Sequence, residues 1–158
     1  MKEVKMTRNQ LYAIYNILGK ARDKVMSPKV SYFFLRNSQI LHPEIEAIQK
    51  ASEVLRITPE IEEYNKKQQD LLKELGADNP EYREKSMALY NENLSLIEDY
   101  RKKEAEFNSL MEDEVTVNIA QISFKEIPEG IFTTDDIQNL LNFLKETQEE
   151  LDELLLCD

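Results

Sequence analysis

The stretch Glu114–Phe124, EVTVNIAQISF, decides the fold, because it alternates like a strand in a chain that is otherwise patterned like helices. The apolar residues on its first face are Val115, Val117 and Ile119. The next apolar residue, Ile122, has the opposite parity, so we expect a bulge or break near Ala120. A strand must pair its N–H and C=O groups, and the chain must therefore supply a partner strand or borrow one from a second molecule.

The partner strand that we predict lies at the amino terminus, where Val4 and Met6 alternate with charged residues. Two short strands are only marginally stable alone, so the pair must lie on a helix. The free edge of such a pair is a candidate site of self-association.

Helices fill most of the remaining sequence. Their starts are marked by cap residues and prolines at Thr7, Ser27-Pro28, Thr58-Pro59, Asn79-Pro80 and Thr133-Thr134. Gly76 is expected to end one helix. Pro43 either kinks another helix or starts a new one, and we favour the kinked, continuous helix. The pattern predicts a mainly α fold, an antiparallel helical bundle with a small two-stranded β element, in a single domain over residues 1–158.

Apolar stripes predict which helix faces are buried. In the first helix the stripe consists of Leu11, Ile14, Tyr15, Leu18 and Val25. In the second helix we expect burial of Phe33, Phe34, Ile40 and Leu41. After Pro80 the stripe consists of Tyr90, Leu94, Ile97, Tyr100, Phe107 and Met111. Its period lies near 3.6, which favours a globular bundle over a long coiled coil.

The last helix carries a short heptad seam. Its members are Ile137, Leu141, Leu144, Leu151 and Leu155. No Lys or Arg follows Lys145, so this helix is acidic. It either completes the core or projects as a helical arm over residues 146–158. The seam and the strand face of Val115, Val117 and Ile119 together form the predicted surface for a partner or for self-association.

Charge is distributed unevenly along the chain. The net charge is −11, but residues 1–37 carry eight Lys and Arg against two acids, a net charge of +6, and the remainder has −17. The candidate basic patch consists of Lys20, Arg22, Lys24, Lys29 and Arg36. This asymmetry predicts intramolecular attraction, head-to-tail association or a small anion-binding face. A nucleic-acid contact would have to use the basic patch, whereas the acidic remainder would repel phosphates or imitate them.

No residue pattern indicates catalysis. His42 is the only histidine and Cys157 the only cysteine, so the chain has too few of these residues for a zinc site of the usual histidine and cysteine ligands. A di-metal bundle requires a Glu-x-x-His pair, but Gln39 stands where the acid before His42 would be. Phosphate-binding glycine loops and nucleophile elbows are missing as well. We therefore expect no enzyme, no cofactor and no metal. No apolar run reaches the length of a membrane span, and we expect a soluble intracellular protein.

The chain resembles a family of small, mostly uncharacterised proteins of tailed bacteriophages and prophages of low-GC Gram-positive bacteria. The segments that carry the resemblance are PKVSYFFLRN at 28–37, ILHPEIEAI at 40–48, FNSLMEDEVTVNIAQISFKEIP at 107–128 and TDDIQNLLNFL at 134–144. With the amino-terminal strand and helix they cover about two-thirds of the chain. The chain departs from the pattern between about Pro59 and Tyr100 and after Lys145.

The resemblance implies a phage setting and a location in the host cytoplasm, but no activity and no site. We expect a non-enzymatic accessory protein that acts by protein–protein contacts, as an assembly factor or as an inhibitor of a host protein. Its partner would be a second copy, a host protein or a phage protein. The alternative is a nucleic-acid-associated protein that uses the basic amino-terminal helical hairpin.

Overall fold

The computed structural model describes residues 1–155, and side chains as far as Glu153. The strands and α-helices in chain order are β1 Lys2–Thr7, α1 Arg8–Gly19, α2 Pro28–Ser52, α3 Pro59–Leu75, α4 Pro80–Glu92, α5 Leu94–Glu112, β2 Glu114–Ile119, α6 Thr134–Asn139 and α7 Gln148–Leu155. Short 3₁₀ turns lie at Glu53–Leu55, Phe124–Glu126 and Leu141–Phe143. The predicted fold class, a mainly α helical bundle with a small two-stranded antiparallel sheet, is confirmed.

The chain divides into two compact units. Unit 1 consists of Met1–Gln49 together with Leu110–Asp158, and unit 2 consists of Lys50–Ser109. Every buried apolar residue described belongs to unit 1. The single-domain prediction stays a prediction.

The helix starts follow the local cap signals. Thr7 forms a capping box with Gln10, and Thr133 forms one with Asp136. The side chains of Thr58 and Asn79 accept backbone hydrogen bonds at the starts of α3 and α4. α2 continues through Pro43 as one helix, as predicted.

The predicted pairing of the two strands is confirmed. β1 and β2 are antiparallel, with Val4 opposite Val117 and Met6 opposite Val115. Val4, Met6, Val117 and Ile119 are buried, so one face of the sheet lies on the core of unit 1.

The break predicted near Ala120 is held by a side chain of α2. Asn37 is fully buried, and its amide exchanges two hydrogen bonds with Ala120, accepting from the backbone N–H at 2.9 Å and donating to the C=O at 3.2 Å. The amide thereby occupies the position of one more strand residue. β2 ends at Ile119 because its next backbone groups are already paired with a helix.

The prediction of one continuous last helix is wrong. α6 ends at Asn139, and Leu144 has an extended backbone. Ile122 donates its N–H to the C=O of Phe143 and accepts the N–H of Lys145, both at 3.0 Å. This tertiary pairing satisfies the backbone groups on both sides of Leu144, and so it replaces the helix that the leucine spacing favours.

In the first two helices, six of the predicted core residues are buried: Leu11, Ile14, Leu18, Phe33, Phe34 and Leu41. Tyr15 and Ile40 are only partly buried. Val25 is fully exposed, because α1 ends at Gly19 and the apolar stripe of the helix does not reach it.

Candidate functional site: an exposed stripe on the helical hairpin

Two residues of the predicted basic patch are paired within unit 1. The Lys20 ammonium lies 2.8 Å from each carboxylate oxygen of Asp136, and Lys29 forms an ion pair with Glu126. Two further pairs, Lys5 with Glu114 and Arg8 with Asp113, also join the basic amino-terminal region to the acidic carboxy-terminal segment. Intramolecular attraction, one of the three predicted consequences of the charge asymmetry, is therefore observed.

The other three patch residues, Arg22, Lys24 and Arg36, are exposed and have no ion pair among the described residues. Arg22 and Lys24 line a small cavity of about 180 Å³ beside Phe34. Of the five residues of the predicted basic patch, two thus form ion pairs and three form none among the described residues.

The Lys20–Asp136 pair has a pH-dependent consequence. Hydrogen bonds from the Lys20 ammonium, and then those from Thr133, hold the pKa of Asp136 below its usual value, although burial opposes the shift. Because the folded-state pKa is depressed, the ionised carboxylate stabilises the fold above the unfolded-state pKa of about 3.9. That contribution is lost as the pH falls through the folded-state pKa.

We predict that Asp136→Asn lowers the free energy of unfolding at pH 7, and that the difference from wild type shrinks as the pH is lowered towards 3. Urea titrations at several pH values measure it. Glu129→Gln is the control, because Glu129 is exposed and forms no described ion pair. A difference for Asp136→Asn that is the same at pH 7 and pH 3 would contradict the linkage.

Half of the eight residues of the predicted partner surface are buried in unit 1. Val117, Ile119, Leu144 and Leu151 are buried, while Val115, Ile137 and Leu141 are partly buried. The side chain of Leu155 lies outside the described residues. The strand face and the seam fill the core of unit 1, so their buried members cannot contact a second molecule in this fold.

Among the described residues, no three His, Cys, Asp or Glu side chains are grouped as metal ligands. None of their helices is long and apolar enough to cross a membrane. His42 lies 3.4 Å from the Tyr15 hydroxyl and 3.4 Å from Glu46, on an exposed surface.

Unit 2 is an antiparallel helical hairpin without a buried residue. Gln68 of α3 meets Ser86 of α4, and the Tyr100 hydroxyl of α5 donates to the C=O of Leu55 at 3.3 Å. None of the residues Lys50–Ser109, all of which the structure describes, is buried. Two facing helices cover each other on one side only, so their contact residues stay partly exposed.

Partly buried residues of the hairpin form two heptad series, which we call the seam. The series of α3 consists of Ile61, Tyr64, Gln68, Leu71 and Leu75, and that of α4 and α5 consists of Tyr82, Ser86, Leu89, Asn93, Leu96, Tyr100, Lys103 and Phe107. Both series alternate spacings of three and four, the signature of a coiled coil. The apolar stripe predicted after Pro80 already contains Tyr100 and Phe107, but the spacing of apolar residues cannot indicate the polar members of the seam, which are Gln68, Ser86, Asn93 and Lys103.

At the centre of the seam, Gln68 and Ser86 are joined by reciprocal hydrogen bonds. The Ser86 hydroxyl donates to the Gln68 amide oxygen at 2.7 Å, and the Gln68 amide donates to the Ser86 C=O at 3.2 Å. Asn93, the residue between α4 and α5, donates its side-chain amide to the Leu89 C=O at 2.8 Å. These bonds satisfy polar groups that the seam would otherwise leave without partners.

A second stripe runs beside the seam on α4 and α5, and four of its six members are exposed. We call it the exposed stripe; its members are Arg83, Met87, Tyr90, Leu94, Ile97 and Arg101. Their spacings are four, three, four, three and four, so they lie along one helix face. Met87 is 61% exposed and Leu94 is 37% exposed. The sequence predicts Tyr90, Leu94 and Ile97 as buried, but the structure leaves Leu94 exposed and the other two only partly buried.

Two shallow cavities lie along the side of the hairpin that carries the exposed stripe. One, of about 630 Å³, is lined by Tyr64 of α3 together with Met87 and Tyr90. The other, of about 250 Å³, is lined by Tyr64 together with Ile97 and Arg101. Tyr64 borders both cavities, and we refer to the two together as the groove.

The opposite side of the hairpin is charged. Its cavity, of about 330 Å³, is lined mainly by Lys67, Asp70 and Glu74. The pKa of Lys67 is raised, chiefly by its hydrogen bond with Glu63 and more weakly by Glu92 of the facing helix. Charged residues thus accompany one flank of the seam, and apolar and aromatic residues the other.

The arginines mark the ends of the exposed stripe. The Arg101 guanidinium lies 5.9 Å from the centre of the Tyr90 ring and donates to its hydroxyl at 3.4 Å. Arg83 is exposed and has no ion pair among the described residues. Tyr, Met and Arg are the residue types enriched at protein interfaces, and all three occur in this stripe.

No protein-family model, curated protein or solved structure matches this chain.

Proposed function

We propose that this protein is a non-enzymatic accessory protein that acts by protein–protein contacts, and that it binds its partner through the exposed stripe of the hairpin. The observation that carries the proposal is the exposure of Met87 and Leu94 within a regular heptad stripe. An apolar stripe at helical spacing, with aromatic residues and arginines, is typical of a surface that another protein covers.

The phage setting remains part of the proposal, and it rests on the sequence resemblance. In that setting the partner is a phage protein or a host protein, and the chain acts as an assembly factor or as an inhibitor. The division into two units fits this role, since unit 1 holds the described core and unit 2 presents the stripe.

The proposal predicts that a partner is lost when the stripe is made charged. The tagged full chain, its Met87→Glu/Leu94→Glu variant and a Lys67→Ala/Lys85→Ala control are used for capture from phage-infected cells, with quantitative mass spectrometry. A partner should be retained by wild type and control, and reduced by about tenfold or more with the stripe variant.

The control is matched, because Lys67 and Lys85 are exposed residues of the same hairpin and lie outside the stripe. Circular dichroism should show equal helix content for all three proteins, since Met87 and Leu94 are not buried. The same set of captured proteins for wild type and stripe variant would refute the proposed function.

A further inference from the structure

The shape and the charges of the proposed partner surface favour one kind of partner. The inference that follows from them rests on the proposed function. We infer that the groove binds one amphipathic α-helix of a partner protein, which carries an acidic residue near each end to meet Arg83 and Arg101. The helix becomes a third strand of the coiled coil that α3, α4 and α5 form.

The shape of the surface fits a helix. Arg83 and Arg101, at the ends of the exposed stripe, are separated by 18 positions, which corresponds to about 27 Å at 1.5 Å per residue. The members of the stripe alternate spacings of three and four, as one face of a coiled-coil helix does. A partner helix of about five turns can therefore place its own apolar residues against Tyr64, Met87 and Ile97, which line the groove.

The arginines at the two ends of the exposed stripe favour a partner helix with acidic side chains. Neither Arg83 nor Arg101 has an ion pair among the described residues, and the hydrogen bond of the Arg101 guanidinium goes to the neutral Tyr90 hydroxyl. Glu104 lines the second cavity beyond Arg101, so three of the residues around the groove are charged and two of those are cations. Acidic side chains about 18 residues apart on one helix face would pair with both arginines.

The same charges disfavour a second copy as the occupant. If two copies pair about a two-fold axis centred on the stripe, Arg83 meets either Arg83 or Arg101 of the other copy. Like charges that face each other oppose association. A foreign helix with acids at these positions has no such repulsion.

The test uses two fluorescein-labelled synthetic peptides of 21 residues with the full-length protein. Both carry leucines at alternating three and four spacings; one has Glu at two positions 18 residues apart, and the other has Lys there. Fluorescence anisotropy measures their affinity. Wild type should prefer the Glu peptide by about tenfold. Arg83→Glu/Arg101→Glu should reverse the preference, and Met87→Glu/Leu94→Glu should weaken the Glu peptide by about tenfold or more.

The outcomes separate the inference from the proposed function. If both peptides bind equally well and Met87→Glu/Leu94→Glu weakens both, the inference of acidic residues near the ends of the partner helix is overturned. The stripe then remains a protein-binding surface. No binding of either peptide overturns a helix as the occupant, while the capture experiment decides the proposed function on its own. A dimer in light scattering that the stripe variant abolishes assigns the groove to a second copy and overturns the inference.

Discussion

Truncating Phe34 to alanine should lower the free energy of unfolding by about 3–5 kcal/mol, the usual cost of deleting a buried aromatic ring. Phe34 is 5% exposed. Its ring lies 5.0 Å from that of Phe33 in an edge-on arrangement and 5.7 Å from that of Phe132. The deletion removes these contacts and leaves a cavity that the neighbouring helix cannot fill without moving. Urea titration of the full chain measures the loss.

Tyr32→Ala is the matched control for Phe34→Ala. Tyr32 lies two residues earlier in α2, on the opposite face, and is 66% exposed. Its truncation should change the free energy of unfolding by less than about 0.5 kcal/mol. A loss below about 1 kcal/mol for Phe34→Ala would mean that this aromatic face contributes little to the core.

Replacing Asn37 with alanine should cost about 2–4 kcal/mol, because two backbone groups of Ala120 lose their hydrogen-bond partner in the interior. Asn37→Asp separates the two bonds, since an ionised carboxylate accepts from the N–H but cannot donate to the C=O. We expect it to destabilise the fold as well. Thermal unfolding followed by circular dichroism measures both variants.

Arg36→Ala serves as the control for Asn37, since Arg36 is the preceding, exposed residue of the same helix. Its effect should stay within about 0.5 kcal/mol. If Asn37→Ala were as stable as that control, water or a rearranged loop would have to satisfy Ala120, and the amide could not be what ends β2.

Features encoded by neighbouring residues could be predicted from the sequence. The caps at Thr7, Thr58 and Thr133 depend on contacts three residues away, and each forms as expected. The strand pair could also be predicted, because Val4 and Met6 show the only other alternation of suitable length. The change of parity between Ile119 and Ile122 predicts the break near Ala120. The residues around Ala120 do not indicate that Asn37 of α2 binds its backbone.

Features that depend on distant residues were missed. The leucine spacing after Thr134 favours a helix, but Ile122 pairs with the backbone on both sides of Leu144 and breaks it. In the hairpin, a polar residue at a seam position cannot be recognised without its facing residue. Ser86 is explained by Gln68, and that pairing appears only in the folded hairpin.

The exposed stripe could not be predicted from the sequence for a similar reason. Tyr90, Leu94 and Ile97 have the spacing of a core stripe, and spacing alone does not show whether a helix has something to pack against. Three seam positions on these helices are polar, Ser86, Asn93 and Lys103, while the exposed Met87 and Leu94 lie beside the seam. An exposed apolar stripe beside a partly polar seam indicates a surface that needs a partner.

The hydrogen bonds between Gln68 and Ser86 fix the alignment of α3 along α4. A seam made only of leucine and isoleucine would fit almost as well after a shift of seven residues, since each apolar position would meet another. Any such shift separates the amide from the hydroxyl and leaves both polar groups at the contact without partners. The two helices are thereby locked in one alignment. Since the groove has one wall on each helix, this pair also keeps Tyr64 opposite Tyr90, and so fixes the shape that a partner meets.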